Sequence, residues 1–318
     1  MGIFANPLTD LLEYEDFSRD FLKGTDPVGM TGCIDSEKVH FMSTFLGEKK
    51  VQLVVTYNEQ RAREIEEDYK LFCSQVYVIP PRDLIFFSAD LQGNAIIAER
   101  MKAFAALYQN EAKVIITTMD ALMSAAVPFE QLMSHVIKLK EGDELDLEKL
   151  KHDLTVMGYE RVGRVEEPGQ FTVHGGIADV YPLTMEVPVR IELWGDEIDT
   201  IRCFEPQSQR SMDQIECVSV FPAAEVIADD TARRRAAGMI QNELESQLAV
   251  FKKAKEPDKA KRLREETNRI LEALGEDVVL EAPDSYISYF YPRTVQLSEY
   301  FDEKNTLVFL DEPMRLKE

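Results

Sequence analysis

The sequence predicts an α/β protein in which a parallel-sheet domain is interrupted by an inserted α+β domain. Residues 1–128 alternate short apolar runs with amphipathic helical segments, as expected for parallel strands joined by crossover helices. Residues 129–222 change to short strands separated by turn signals. Residues 223–318 return to long helices and end in an apolar strand. We expect that strand to rejoin the first sheet, so that the parallel-sheet domain is discontinuous.

The elements of the parallel-sheet domain follow from residue type and spacing. Apolar runs rich in Val and Ile predict buried strands, and apolar residues at helical spacing predict the helices between them. The last two helices follow each other almost directly, which predicts an antiparallel helical hairpin. The predicted strands are 51–57, 75–79, 112–118 and 305–312, and the predicted helices are 58–72, 95–108, 119–126, 231–255 and 257–274.

The inserted domain is predicted from alternating apolar and polar residues. Gly175-Gly176 and Gly195-Asp196 lie where tight hairpin turns are expected. The predicted helix of this domain is 146–157, and the predicted strands are 170–174, 177–181, 187–194 and 197–204.

The composition indicates a globular protein of the cytoplasm. The chain has 318 residues, 45% of them hydrophobic, and lacks the run of about 20 apolar residues that a membrane helix needs. Its acidic beginning has no basic region typical of a signal peptide. The four cysteines are not spaced as zinc ligands, so we expect free thiols. No catalytic motif is found, and we expect no catalytic residue, metal or cofactor.

The formal charge of -22 disfavours binding to phosphate backbones unless basic residues are segregated into a patch. A protein partner with a positive surface is therefore expected. Basic residues occur at 233–235 and 252–264, but they lie among glutamates, which favours solvated helix faces. A DNA-binding surface on these helices is the weaker alternative.

Residues 29–36 occupy the place of a phosphate-binding P-loop. Gly29, Gly32 and Ser36 fit such a loop, but Ile34 replaces its second essential glycine and Asp35 replaces its lysine. At about 4 Å and an effective dielectric near 20, a carboxylate there costs about 4 kcal/mol where an ammonium would contribute a similar amount. Lys38 lies three positions late. The loop is therefore predicted to be a degenerate nucleotide site, and an ordinary glycine-containing turn is the alternative.

Asp311 and Glu312 close the last apolar strand, as the two carboxylates of a Walker B strand do. In an NTPase, such a pair holds Mg²⁺ and orients the attacking water. Without a lysine-bearing loop no nucleotide is expected to bind beside this pair. Acidic residues that merely end a strand are the alternative explanation.

Trp194, the only tryptophan, is predicted on a polar strand face. Alternation places Arg190, Glu192 and Trp194 on one side of the strand and Ile191 and Leu193 on the other. Trp and Arg are enriched in binding hot spots, so this face is a candidate protein-binding surface. The alternative is that Trp194 packs under a helix of its own domain.

Several segments together resemble the transcription-repair coupling factors. Residues 158–182 and 188–211 are similar to the inserted domain of that family and, more distantly, to UvrB. Residues 99–123 and 301–313 are similar to its flanking parts. The resemblance implies a discontinuous, UvrB-like, P-loop-NTPase-like domain that has lost ATP binding.

The resemblance also implies a function. The inserted domain of the family docks onto UvrA and so links a stalled RNA polymerase to nucleotide excision repair. Its contact positions correspond to His174, Arg190 and Trp194, and His174 replaces an arginine, which implies a weaker or pH-dependent contact. The family's motor domains, which act on double-stranded DNA, and its RNA-polymerase-binding domain are implied later in the full-length protein. The alternative function is a UvrB-like or helicase-like NTPase fragment that binds nucleotide and DNA.

Overall fold

The structure is a computed structural model that describes residues 8, 14–24, 27–82, 91–275 and 286–317. The protein is mixed α/β, with one parallel sheet and one mainly antiparallel sheet. It divides into two compact units. The first unit comprises residues 1–82, 103–124 and 297–318, and the second comprises 83–102 and 125–296.

The described helices and strands are numbered here in chain order. The helices are α1 Tyr14–Lys23, α2 Asp35–Ser43, α3 Glu59–Tyr69, α4 Leu91–Tyr108, α5 Met119–Met123, α6 Phe129–Met133, α7 Leu147–Val156, α8 Asp230–Ala254, α9 Pro257–Gly275 and α10 Ile287–Phe290. The strands are β1 Val51–Thr56, β2 Val76–Ile79, β3 Val114–Thr118, β4 Ala125–Ala126, β5 Ile137–Lys140, β6 Glu160–Arg161, β7 Gln170–His174, β8 Ile177–Val180, β9 Val189–Trp194, β10 Glu197–Phe204, β11 Ser211–Gln214, β12 Cys217–Val220, β13 Val295–Gln296 and β14 Thr306–Leu310.

The first unit is built on a four-stranded sheet in the order β14-β1-β3-β2, with every neighbouring pair parallel. The prediction that the last strand rejoins the first sheet is confirmed, because β14 pairs with β1. Helix α3 buries Ala62, Ile65 and Tyr69 against the sheet, at the spacing that predicted the helix. Tyr14, Phe41 and Phe45 form an aromatic cluster on β14 around Leu307.

The second unit contains a six-stranded sheet in the order β11-β10-β9-β8-β7-β6. Its pairs are antiparallel except β6–β7. The hairpin turns predicted after β7 and β9 are confirmed, and Gly175 and Gly195 adopt the positive φ angles of 60° and 68° that such turns require. One face of the sheet packs on α7 through Leu150 and Leu154, which forms the core of this unit.

The predicted helical hairpin is also confirmed. Helices α8 and α9 pack against each other, and the Arg233 guanidinium near the start of α8 donates to the Ala273 carbonyl near the end of α9. Asp229 caps α8 by accepting from the Ala232 amide. Lys255 ends α8 in the left-handed conformation. No described helix is long and apolar enough to cross a membrane.

One predicted helix is too long. The segment predicted as helix 119–126 ends at Met123, and Ala125–Ala126 forms β4, which pairs with β13. Ser124 ends the helix with an extended backbone. A partner strand some 170 residues later in the chain overrides the local helix propensity, and no local pattern records that pairing.

Gly158 provides a test of packing in the second unit. It has φ of +91°, and a Cβ atom there would lie 2.8 Å from the Ala224 Cβ. We expect Gly158→Ala to lower the free energy of unfolding by about 1–3 kcal/mol, because the new methyl group clashes and the backbone is strained. Urea denaturation measures this. Gly163→Ala is the matched control, since nothing lies within 4 Å of its position. Equal stability of the two variants would contradict the packing described.

Candidate partner-binding face and the Asp311 ion-pair cluster

The six-stranded sheet of the second unit turns one face to its core and the other outward. On β9, Ile191 is fully buried, whereas Trp194 is exposed. Across the sheet, Glu192 is opposite Ile177 of β8 and Thr200 of β10. We call the side opposite the core the outer face, and define it by His174, Ile177, Arg190, Glu192, Trp194 and Thr200.

Trp194 is the most exposed large side chain of this face. It is 83% exposed and precedes the tight turn that begins at Gly195. The alternative that it packs under a helix of its own domain is therefore wrong. Ile177, on the neighbouring strand, is 40% exposed. His174 is directly opposite Ile177 and is exposed as well. The outer face thus presents an aromatic and an aliphatic side chain in a polar surround.

Arg190 already has a partner inside the sheet. Its Nε and Nη2 donate to the two carboxylate oxygens of Asp179 at 2.8 and 2.7 Å, and its guanidinium lies 4.8 Å from the centre of the Phe204 ring. The hydrogen bond with Asp179 outweighs desolvation and raises the pKa of Arg190. Asp179 is buried, and burial of a carboxylate is costly unless a hydrogen-bonded partner such as Arg190 offsets its loss of hydration. His174, Arg190 and Trp194 therefore share one face, but only part of the Arg190 side chain is exposed.

In the first unit, Asp311 stands at the end of β14 beside the end of β1, because the carboxyl ends of parallel strands meet at one sheet edge. Its side chain is only 2% exposed. The Lys38 Nζ lies 3.0 Å from Asp311 Oδ1 and 2.5 Å from Glu312 Oε1. Arg61 Nε and the Thr56 hydroxyl donate to Asp311 Oδ2 at 3.2 and 3.0 Å. We call these five residues the Asp311 cluster.

The cluster neutralises its buried carboxylate internally. Burial alone would raise the pKa of Asp311, but the hydrogen bond and charge of Lys38 and the charge of Arg61 outweigh burial and lower it. Burial would lower the pKa of Lys38, but its bonds to Glu312 and Asp311 raise it. Both groups are therefore charged at neutral pH, and each stabilises the charge of the other.

The loop predicted as a degenerate nucleotide site is largely exposed and does not follow a strand. Residues 27–34 lie between α1 and α2, and none of the described residues between these helices forms a strand, whereas a P-loop follows one. Gly32 has φ of +91°, and the side chains of Ile34 and Ser36 are exposed. The Asp35 side chain is 84% exposed, with one carboxylate oxygen 4.0 Å from Arg61 Nη1.

Lys38 is the residue whose role the sequence did not reveal. Its position, three residues after Asp35, is wrong for a P-loop lysine, yet one further turn of α2 carries its ammonium to Asp311 and Glu312. The two carboxylates predicted to resemble a Walker B pair are therefore bonded to a lysine of the chain itself. Lys38 and Asp311 are separated by 273 positions in the sequence, so no local pattern signals this contact.

Comparison with known proteins identifies relatives for both units. Residues 137–225 match the protein family described as the UvrB interaction domain. Nearly the whole chain is similar to transcription-repair-coupling factors. The identity is 30% over 320 residues with that of Bacillus subtilis, covering 98% of this chain and 27% of the relative. It is 31% over 307 residues with that of Staphylococcus haemolyticus, covering 94% and 25%.

These matches confirm the resemblance predicted from the sequence. The chain spans about a quarter of the length of the curated relatives it matches. The matched UvrB interaction domain includes β5 to β12 and therefore contains the whole outer face.

The Asp311 cluster predicts a pH-dependent stability. We expect Asp311→Asn to lower the free energy of unfolding by about 2 kcal/mol at neutral pH, because the charge partner of Lys38 and Arg61 is lost. Since the pKa of Asp311 is depressed on folding, its contribution is complete above the usual value of 3.8 and is lost as the pH falls through the folded value. The difference between variant and wild type should therefore shrink in acid.

Urea denaturation between neutral and acidic pH measures this difference. Glu303→Gln is the matched control, because Glu303 is exposed and lies on the approach to the same strand. A loss that is equally large in strong acid would show that the charge of Asp311 is not the cause.

Proposed function

We propose that this relative of the transcription-repair-coupling factors is a non-catalytic protein-binding module that recruits UvrA through the outer face. In this role it links a stalled RNA polymerase to nucleotide excision repair. The single observation that carries the proposal is the 83% exposed Trp194 on a rigid strand within the region that matches the UvrB interaction domain.

Trp194 has the properties of a binding anchor. A tryptophan buries up to about 250 Å² of mostly apolar surface at low conformational cost, and its indole N–H still donates a hydrogen bond. Strand β9 is paired on both sides, so the backbone that carries Trp194 is held in place before a partner arrives. The half-exposed Ile177 and the polar Glu192 and Thr200 supply an apolar neighbour and a polar rim.

Arg190 contributes through the donors that Asp179 and Gln209 leave unused. A guanidinium has five N–H donors; Asp179 accepts from Nε and Nη2, and the Gln209 side-chain oxygen also accepts from Nη2 at 3.4 Å, which leaves the two donors of Nη1. The pair holds the guanidinium plane in a fixed orientation, so that an acidic group of UvrA meets a preorganised cation. Arg190→Ala would also leave the buried Asp179 unpaired, so a loss of binding in that variant would mix folding with recognition.

His174 extends the same face on β7. It stands where the family pattern has an arginine, and a histidine is shorter and offers fewer donors. We therefore assign it a weaker contact than that of Arg190 or Trp194.

The absence of nucleotide chemistry is part of the proposal. Lys38 bonds to both Asp311 and Glu312, so the two carboxylates are engaged by a cation of the chain itself. Asp35 points a carboxylate into solvent at the position where a P-loop supplies a lysine. These contacts disfavour the alternative function, a UvrB-like or helicase-like NTPase fragment.

Replacing Trp194 tests the recruitment of UvrA. We expect Trp194→Ala to weaken binding of the whole chain to purified UvrA by about 30-fold, which corresponds to about 2 kcal/mol, because the anchor is removed. Fluorescence anisotropy with labelled chain gives the dissociation constant. Met212→Ala, a truncation of an exposed apolar residue on β11, serves as the control and should bind normally. Unchanged affinity of Trp194→Ala would remove the assignment.

A nucleotide titration separates the proposal from its alternative. We expect a fluorescent ATP analogue with Mg²⁺ to show no saturable binding in the low micromolar range. Asp35→Lys alone should not create binding, because Lys38 still holds Asp311 and Glu312. Tight, magnesium-dependent binding to the wild-type chain would favour the NTPase fragment instead.

A further inference from the structure

The helical hairpin of the second unit extends well past its buried part. In α8 the buried residues are Ala236, Ile240 and Leu244, all in its first two thirds, and in α9 they are Thr267 and Leu274. None of the residues from 245 to 266 is buried. The far half of the hairpin is therefore supported mainly by the pairing of its two helices.

The end of this hairpin has a charge opposite to that of the protein. We define the hairpin tip as residues 252–264. It contains seven basic residues and two carboxylates, a net charge of +5 in a chain of net charge -22. All seven basic side chains are exposed: Lys252, Lys253, Lys255, Lys259, Lys261, Arg262 and Arg264. Such segregation is the condition under which an acidic protein can still attract a polyanion.

Internal pairing does not account for this charge. Lys259 lies 2.9 Å from Glu256, and Lys261 lies 3.9 Å from Glu265. Five of the seven cations form no ion pair within the described part of the chain: Lys252, Lys253, Lys255, Arg262 and Arg264. These five are thus available to an external anion.

Stabilisation of the two helices does not account for the positive charge of the hairpin tip either. Lys252 and Lys253 lie in the last turn of α8, where positive charge is favourable to the helix dipole. Lys259, however, lies in the first turn of α9, where positive charge is unfavourable to the helix dipole, and Lys261 and Arg262 lie beyond that turn. The helix dipole therefore explains the charges of Lys252 and Lys253 but not those of the basic residues in α9.

The kind of anion follows from what the tip lacks. Its largest apolar side chain is Leu263, which is half-buried, and it contains no aromatic residue. A helix that binds a membrane surface inserts bulky apolar side chains, and a protein hot spot needs aromatic anchors. Exposed lysines and arginines suit regularly spaced phosphates, with no demand for base recognition.

We propose that the hairpin tip binds the phosphate backbone of duplex DNA without sequence preference. The choice of DNA among polyanions rests on the proposed function, which places the chain beside a DNA-bound polymerase. The contact would hold the UvrA-recruiting module close to the duplex. Because the rest of the chain is strongly acidic, the binding is weak and steeply dependent on salt.

A salt titration tests the proposal. Anisotropy of a labelled duplex of about 30 base pairs with the 318-residue chain, beginning at about 50 mM salt, gives the affinity and its salt dependence. In the tip variant, Lys252, Lys253, Arg262 and Arg264 are replaced by Gln. We expect the affinity to fall at least about 10-fold and the slope of log K against log salt to become shallower by about 3.

A second variant with the same change in net charge is the control. It replaces the exposed Lys50, Lys140, Lys149 and Lys304 by Gln and should keep most of the affinity and slope. Equal losses in both variants would show a net-charge effect and overturn the proposal, as would absence of DNA binding at low salt. Tip-dependent binding to vesicles of anionic lipid without binding to DNA would make the tip a membrane contact and would also overturn it.

The two functions are separable in the same experiments. The tip variant should bind UvrA normally, and Trp194→Ala should bind DNA normally. DNA binding that survives in a chain unable to bind UvrA would leave the tip assignment standing without the proposed recruitment.

Discussion

The buried carboxylate of Asp311 imposes the constraint on which the first unit depends. A carboxylate that is 2% exposed is tolerated only with charge partners and hydrogen bonds around it, and Lys38, Arg61 and Thr56 supply them. The contacts tie together the ends of β1 and β14 and the helices α2 and α3. In a nucleotide-binding protein such a carboxylate helps to hold the metal ion that contacts the phosphates, whereas here side chains of the chain itself bond to it.

The outer face of the second unit also contains a buried carboxylate, but part of this face stays exposed. Asp179 is buried and paired with Arg190, so this part of the face is internally satisfied. Trp194, four residues further along the same strand, stays exposed although its burial would be favourable. An outward tryptophan on a rigid strand, next to a fixed cation, combines the features by which proteins recognise other proteins.

The chain has an acidic surface overall and one basic surface, the hairpin tip. The chain as a whole is acidic, and its net charge of -22 suits a basic protein partner and repels phosphate. The hairpin tip reverses the sign locally, where α8 ends and α9 begins. Salt at physiological concentration screens interactions between exposed charges over about 8 Å, so a local patch of this kind can act independently of the total charge.

The sequence by itself determined much of the architecture. Period-two alternation located β7 to β10 and the outward direction of Trp194, helical spacing located α3 and the hairpin, and apolar content predicted that β14 joins the first sheet. Only the tertiary structure decided the bond of Lys38 to Asp311, the pairing of Arg190 with Asp179 and the strand β4. Periodicity reports which way a side chain points, whereas a partner far away in the chain is set by folding in three dimensions.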